Sequence, residues 1–240
     1  MSESHPEPTA MPELTAEEIL ARVLYRDGLM LVIDKPAGLP VHRGPKGGAN
    51  LESSFEFLRY GLPRPPVLAH RLDRDTSGCL VLGRHRKATA SLGLLFKHGR
   101  ISKTYWAVVE GGPIEDEGTI ELPIGRLNAE RGWWQKIDPE GQPATTKWRV
   151  LGRGDGLTWL ALQPVTGRTH QLRVHSAAMG WPIVGDNIYG NGPRFGEPTL
   201  HLHASEIVIP ISRNKPPIVV TAPAPVHLHA RLRGCGWNGE

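Results

Sequence analysis

The feature that most constrains this chain is a polar stretch, His70-Arg-Leu-Asp-Arg-Asp-Thr-Ser-Gly78, that runs straight into the apolar tetrapeptide Cys79-Leu-Val-Leu82. Five of its nine side chains are charged or imidazole, and Leu72 is the only bulky apolar one. A short apolar run bounded by glycine has the length of a buried strand. Gly78 stands at the junction, where a backbone without Cβ can turn sharply or approach a ligand closely. A dense polar loop feeding a core strand is how a scaffold presents chemistry rigidly. The plainer alternative is a polar turn whose Asp and Thr side chains cap neighbouring backbone. Only a second cluster elsewhere in the chain separates the two.

With 240 residues the chain can bury a sizeable core in one large domain or two small ones. Its 28 basic and 24 acidic residues leave a formal charge of +4, and the sequence pI is about 9.2. That balance is compatible with nucleic acid without demanding it. Two cysteines, Cys79 and Cys235, give neither a disulfide framework nor a zinc pattern, and a reducing cytoplasm is the expected location. No apolar run approaches the ~18 residues of a membrane span, and the N-terminus lacks the form of a signal peptide.

Residues 1–14 read as a disordered tail, and 15–240 as a single domain. Thr15-Ala-Glu-Glu18 can cap a helical turn. Ile19 to Tyr25, Asp27-Gly28 and Leu29 to Ile33 read as a hairpin, ended by Lys35-Pro-Ala-Gly38. Leu51 to Tyr60 reads as helix, as does Ala88 to His98 with Leu92, Leu95 and Phe96 inward. Lys103 to Val109 is the next strand, and residues 110–165 a run of antiparallel strands. Thr169 is the expected cap of a helix from His170 to Met179, stopped by Gly180 and Pro182. Leu200 to Ile211 and Ile218 to Thr221 supply the last strands. The fold class is therefore α+β, a mixed and mainly antiparallel sheet with flanking helices.

Three polar clusters stand out: the opening motif, Lys103-Thr-Tyr105, and Gly167-Arg-Thr-His-Gln-Leu-Arg-Val-His175. His170 and His175 lie about 140° apart around a helix, so they do not form a metal-binding pair. His201 with His203, and His227 with His229, alternate as strand residues on one face do; packed or solvated histidines are the expectation there, not a metal. No phosphate-binding glycine loop, nucleophile elbow or dinucleotide fingerprint is present.

Taken together, Lys35-Pro-Ala-Gly38, His70 to Gly78, Lys103-Thr-Tyr105 and Gly167 to His175 resemble, in order and spacing, the RluA family of pseudouridine synthases. Asp186 and Tyr189 in Gly185-Asp-Asn-Ile-Tyr-Gly190 continue the resemblance, which spans roughly residues 22–222. It implies the pseudouridine synthase fold and isomerisation of uridine in ribosomal or transfer RNA, with no cofactor and no metal. By position, the catalytic aspartate falls on Asp73, not Asp75. The motif arginine falls on Arg173, where a guanidinium would keep the carboxylate charged and oriented. The active-site tyrosine falls on Tyr105, whose ring can stack on an extruded uracil and whose hydroxyl can assist proton transfer at C5. Arg71 matches the residue that helps displace the target nucleotide, and Leu172 is expected against the base.

Arg84, Arg86, Lys87, Lys97, Arg100 and Lys103 are candidates for phosphate contacts. Trp133-Trp134 reads as hairpin core more readily than as a stacking platform. Lys35 is expected to be structural or phosphate-facing. No N-terminal RNA-binding domain of the S4 type is expected, and the protein is taken as a monomer. Two rivals remain at this point: a non-catalytic RNA-binding or ribosome-assembly protein on the same scaffold, and a carboxylate hydrolase with Asp75 as its second acid.

Overall fold

The fold was obtained as a computed structural model, which describes residues 12–44, 47–128, 133–212 and 214–239. Most of the tail expected at 1–14 lies outside the described residues. Leu14, at its end, is buried in the core, and its carbonyl accepts a hydrogen bond from Ser54 Oγ at 2.9 Å.

Helix α1 (Ala16–Ala21) opens the chain on the expected capping box, with Glu18 N donating to Thr15 Oγ1 and Thr15 N to Glu18 Oε2. That box carries Ile19 to Ala21 into helix, so the first hairpin arm is shorter than expected: β1 is Val23–Arg26 and β2 is Met30–Lys35. Asp27 closes the turn, its Oδ1 accepting from Leu29 N and Met30 N. The expected helix near Leu51 is a tight 3-10 helix, Glu52–Leu58, with Phe55 and Leu58 buried. After β3 (Val67–Leu68) comes β4 (Ser77–Gly83), every residue of which is buried. Helix α2 (Arg86–Lys97) starts earlier than expected because His85 caps it, Nδ1 accepting from Ala88 N.

Strands β5 (Ser102–Glu110), β6 (Glu117–Glu121), β7 (Ile124–Arg126), β8 (Gln135–Ile137), β9 (Thr145–Gly154) and β10 (Leu157–Pro164) follow. Then come α3 (Gln171–Ala178), β11 (Leu202–Ile209), β12 (Ile218–Thr221) and α4 (Val226–Gly234). One sheet of ten strands runs β1-β2-β4-β11-β5-β10-β9-β6, with β3 on β4 and β12 on β11; β7 and β8 form a separate hairpin. The main sheet is antiparallel except where β4 meets β11, with His203 opposite Ser77 and Ala204 opposite Gly78. Gly78 is obligatory there. Its φ is 103°, and a Cβ would lie 2.3 Å from the Ala204 carbonyl oxygen. The close approach inferred for this glycine is to a strand, not to a ligand.

Strand β4 is apolar from Cys79 to Leu82 because both faces are covered. Leu80 and Leu82 join the core formed with Leu31, Ile33, Tyr105 and Leu172. Cys79 and Val81 pack on the other side with Met30, Val32, Leu92 and Ile207. The sheet thus holds the His70 to Gly78 loop at the start of its most enclosed strand.

His227 and His229 lie on α4, not on a strand as their alternation suggested; Pro225 starts the helix. Their Nε2 atoms donate to the carbonyls of Leu200 and Ala224. His201 and His203 are fully buried and hydrogen bonded to Thr199 O and Ala222 O. Among the described residues no cluster of three or more His, Cys, Asp or Glu is poised to hold a metal, and no helix is long and apolar enough to cross a membrane.

Candidate active site

A cleft of about 400 Å³ opens where the start of β4, the middle of β5 and the N-terminus of α3 meet. Its lining includes Arg71, Leu72, Asp73, Lys103, Tyr105, His170, Leu172 and Arg173. Three clusters separated by some 100 residues of chain are thereby brought into one site.

The loop that carries Asp73 is built around Lys35. Its side chain is fully buried, and Nζ donates to the carbonyls of Pro36 (2.8 Å), Arg74 (2.8 Å) and Thr76 (2.9 Å). All three ammonium protons are therefore spent on backbone. Burial draws the ammonium down to about 7, against the attraction of Asp75 and Asp73. Gly38 N adds a second tie to the Arg74 carbonyl, and Thr76 N donates to Asp73 O. Of the two readings open for Lys35, the structural one holds.

The Asp73 side chain is 31% exposed, enough to meet a substrate. Arg173 Nη1 lies 3.6 Å from its Oδ2, and His170 Nε2 lies 3.7 Å from the same oxygen. Arg173 does not close on Asp73 because it is anchored elsewhere. Its Nε and Nη2 donate to Asp186 Oδ2 and Oδ1, both at 2.8 Å, in a bidentate pair with both side chains almost wholly buried. Burial opposes the charge on Arg173, yet Asp186 and Asp73 outweigh it and hold the guanidinium above its usual range. Burial likewise opposes the Asp186 charge, and Arg173 with the Ile188 and Tyr189 N–H groups overcomes it, holding the carboxyl below its usual range. Asp75, the alternative acid, is engaged by its neighbour Arg74, Nε to Oδ1 at 3.0 Å.

Tyr105 faces the cleft from β5 and is 9% exposed. Burial, reinforced by the Asp73 charge, pushes its phenol well above the usual tyrosine range. Leu172 is buried in the same core and lines the same cleft. Arg71 is exposed on the rim, and Lys97 and Lys103 line the cleft; burial lowers Lys103. His70 closes the back, its ring stacked on Phe96 with centroids 4.3 Å apart and its Nε2 accepting from Val81 N. Burial draws it down to about 3, so it stays neutral.

Other candidates lie elsewhere. Arg84 follows the far end of β4, about 20 Å along the strand, and its Nη1 and Nη2 donate to the carbonyls of Asp27 and Tyr60. It is not brought to the cleft, and neither Arg86 nor Lys87 lines it. Trp133 is 57% exposed on the β7–β8 hairpin rather than in a core, with its edge toward His170, centroids 5.5 Å apart. Thr169 does not cap α3. His170 occupies the cap position in the left-handed region (φ 52°), and Gln171 Oε1 accepts from Arg168 N and Thr166 Oγ1.

A family model for RNA pseudouridylate synthase matches residues 29–178, which hold Asp73, Tyr105 and Arg173. The chain belongs to the RNA pseudouridylate synthase family. An uncharacterised RNA pseudouridine synthase of Zymomonas mobilis is 43% identical over 85% of this chain and 94% of its own length. The ribosomal large subunit pseudouridine synthase C of Vibrio cholerae is 34% identical over 97% of this chain and 75% of its own. Among solved structures, human RNA pseudouridylate synthase domain containing 4 superposes with a TM-score of 0.76 at 27% identity, over 91% of this chain and 95% of that one. The mixed sheet with flanking helices is the fold of these synthases, the RluA resemblance holds, and the chain is an isomerase of the RNA pseudouridine synthase class.

Proposed function

We propose that this synthase converts specific uridines of ribosomal or transfer RNA to pseudouridine with Asp73 as nucleophile. The observation that carries the reading is the placement of a part-exposed carboxylate beside a buried guanidinium that is itself anchored by a second carboxylate. A carboxylate so held is oriented and reachable. It attacks the nucleoside, the N1–C1′ bond breaks, and the uracil turns in the cleft. C5 then bonds to C1′, the carboxylate departs, and the proton on C5 is lost. A phenol as firmly protonated as Tyr105 suits stacking on the turning base and hydrogen bonding better than service as a phenolate. Leu172 adds apolar surface to the same cleft.

A cleft of this size admits one nucleotide only if that nucleotide leaves the RNA stack, at a cost of a few kcal/mol. Arg71, exposed on the rim, has the length to fill the vacated place, and Lys97 and Lys103 can meet phosphates. The chemistry asks for no cofactor or metal, and one chain supplies every group named. The test is pseudouridine mapping on RNA from cells lacking the gene, rescued with the wild type or with Asp73→Asn. Sites that return only with the wild type support the reading and name the substrate. Sites restored equally by both variants refute the nucleophile assignment.

A further inference from the structure

His170 is not a member of the set that the sequence singled out for chemistry, yet its imidazole is 7% exposed and wedged between Asp73, Trp133 and Tyr189. A non-glycine residue with φ 52° is sterically costly, and such strain gathers at functional positions. Its Nδ1 lies 2.7 Å from the Tyr189 hydroxyl. That hydroxyl accepts a hydrogen bond from Gln135 N at 2.9 Å, at the start of β8. The phenolic oxygen accepts from Gln135 N, and giving its single proton to His170 Nδ1, 2.7 Å away, uses both its donor and its acceptor capacity. The neutral ring then carries its own proton on Nε2, the nitrogen that faces Asp73 Oδ2.

We propose that Tyr189 and His170 are positioning residues for Asp73, the Tyr189 hydroxyl holding His170 as the tautomer whose Nε2–H faces Asp73 Oδ2. This rests on the reading of Asp73 as nucleophile. Arg173 Nη1 and His170 Nε2 both approach Oδ2, so that oxygen is held while Oδ1 carries the attack. At 3.7 Å the N–H···O contact is longer than a hydrogen bond. It is an aimed dipole that closes as charge returns to the carboxylate when it leaves C1′. The charged groups around the ring are Asp73 and Asp75 from the motif loop, Arg173 from α3, and Asp186. Burial, helped by Arg173, outweighs the three carboxylates and keeps His170 below its usual range, while burial lifts the Tyr189 phenol to about 12. Both groups therefore hold, near neutral pH, the protons that this arrangement needs.

The experiment uses the full chain labelled with 15N-histidine, and tritium release from [5-3H]uridine-labelled RNA of cells lacking the gene. His170→Asn identifies the His170 signals by their loss; asparagine tolerates the left-handed conformation. The wild type is expected to show His170 as the Nε2–H tautomer. Tyr189→Phe is expected to shift that signature toward Nδ1–H and to lower kcat about tenfold, with KM for RNA unchanged, as for loss of one donor to a charged group. His170 in the Nδ1–H form in the wild type, or Tyr189→Phe with tautomer and kcat unaltered, overturns the proposal. Should Tyr189→Phe lose its thermal transition, His170→Asn decides through the same fall in kcat, and parent-like turnover refutes. A wild type inactive on all RNA overturns the underlying reading instead, and the spectra still decide the tautomer.

Discussion

Asp186→Asn is the perturbation that most sharply separates an anchored arginine from an incidental one. The substitution keeps the shape of the side chain but replaces one carboxylate oxygen by an amide that points N–H against N–H. Arg173 Nε and Nη2 each donate to Asp186 at 2.8 Å, and Arg173 is 3% exposed. One charge-assisted hydrogen bond is lost, about 1.5–3 kcal/mol, and a buried guanidinium loses its counter-charge. Removing one partner of a buried pair costs about 3–5 kcal/mol, and the surviving amide oxygen places the expectation at the lower end, about 3 kcal/mol. The free guanidinium then turns to the nearest remaining carboxylate, Asp73, 3.6 Å away. If Asp73 is the nucleophile, drawing it off line by about 1 Å costs on the order of 10²-fold in rate. Urea unfolding and tritium release from uridine-labelled RNA measure the two effects. A midpoint within about 0.5 kcal/mol of the parent, or an unchanged kcat, would show that Asp186 does not hold Arg173 in place.

Lys35→Met keeps the length of the side chain and strips three carbonyls of their donor. It is expected to cost about 2–4 kcal/mol after the relieved burial of the ammonium is set against the orphaned carbonyls, and to lower kcat because Arg74 and Thr76 bracket Asp73; parent-like unfolding and turnover would remove Lys35 from this role. Gly78→Ala forces a Cβ onto the Ala204 carbonyl at φ 103°, and a loss above about 3 kcal/mol, read as insoluble protein or a missing thermal transition, is expected. His201 and His203 are buried and drawn by burial down to about 4 from an ordinary 6.5. Between those values only the unfolded chain binds the protons, so stability is full above pH 6.5 and is lost as pH falls toward 4. Each histidine contributes a slope of about 1.4 kcal/mol per pH unit. Urea titrations from pH 4 to 7 check it, and a flat profile would contradict it.

How much was legible in the sequence follows the range of the interaction. The polar loop and the buried strand after it are local patterns and stand as read, whereas the close approach at Gly78 is to strand β11 rather than to a ligand. The turn at Asp27 and the capping box at Thr15 are local too, though the box carried the helix through Ile19 at the expense of a strand. What the sequence did not show depends on distant partners. Alternation made His227 and His229 look like strand residues, whereas Pro225 and packing against β5 and β10 make them helical. Thr169 carries the right side chain for a cap, yet Gln171 turns back to accept from the Arg168 amide and the Thr166 hydroxyl and leaves His170 in the left-handed position. Arg84 looked like part of a basic track, and only the chain reversal around Asp27 and Tyr60 reveals its backbone partners. The motifs named Asp73, Tyr105 and Arg173, but not what makes the site rigid. The cage around Lys35 and the Asp186 anchor needed the loop, α3 and the segment after it to be assembled first.

The most direct test of the central claim is a comparison of purified wild type and Asp73→Asn on [5-3H]uridine-labelled RNA, with RNA binding followed in parallel. If Asp73 is the nucleophile, Asp73→Asn binds RNA as the wild type does and releases no tritium above background. Tritium release by Asp73→Asn at a rate near that of the wild type would contradict it.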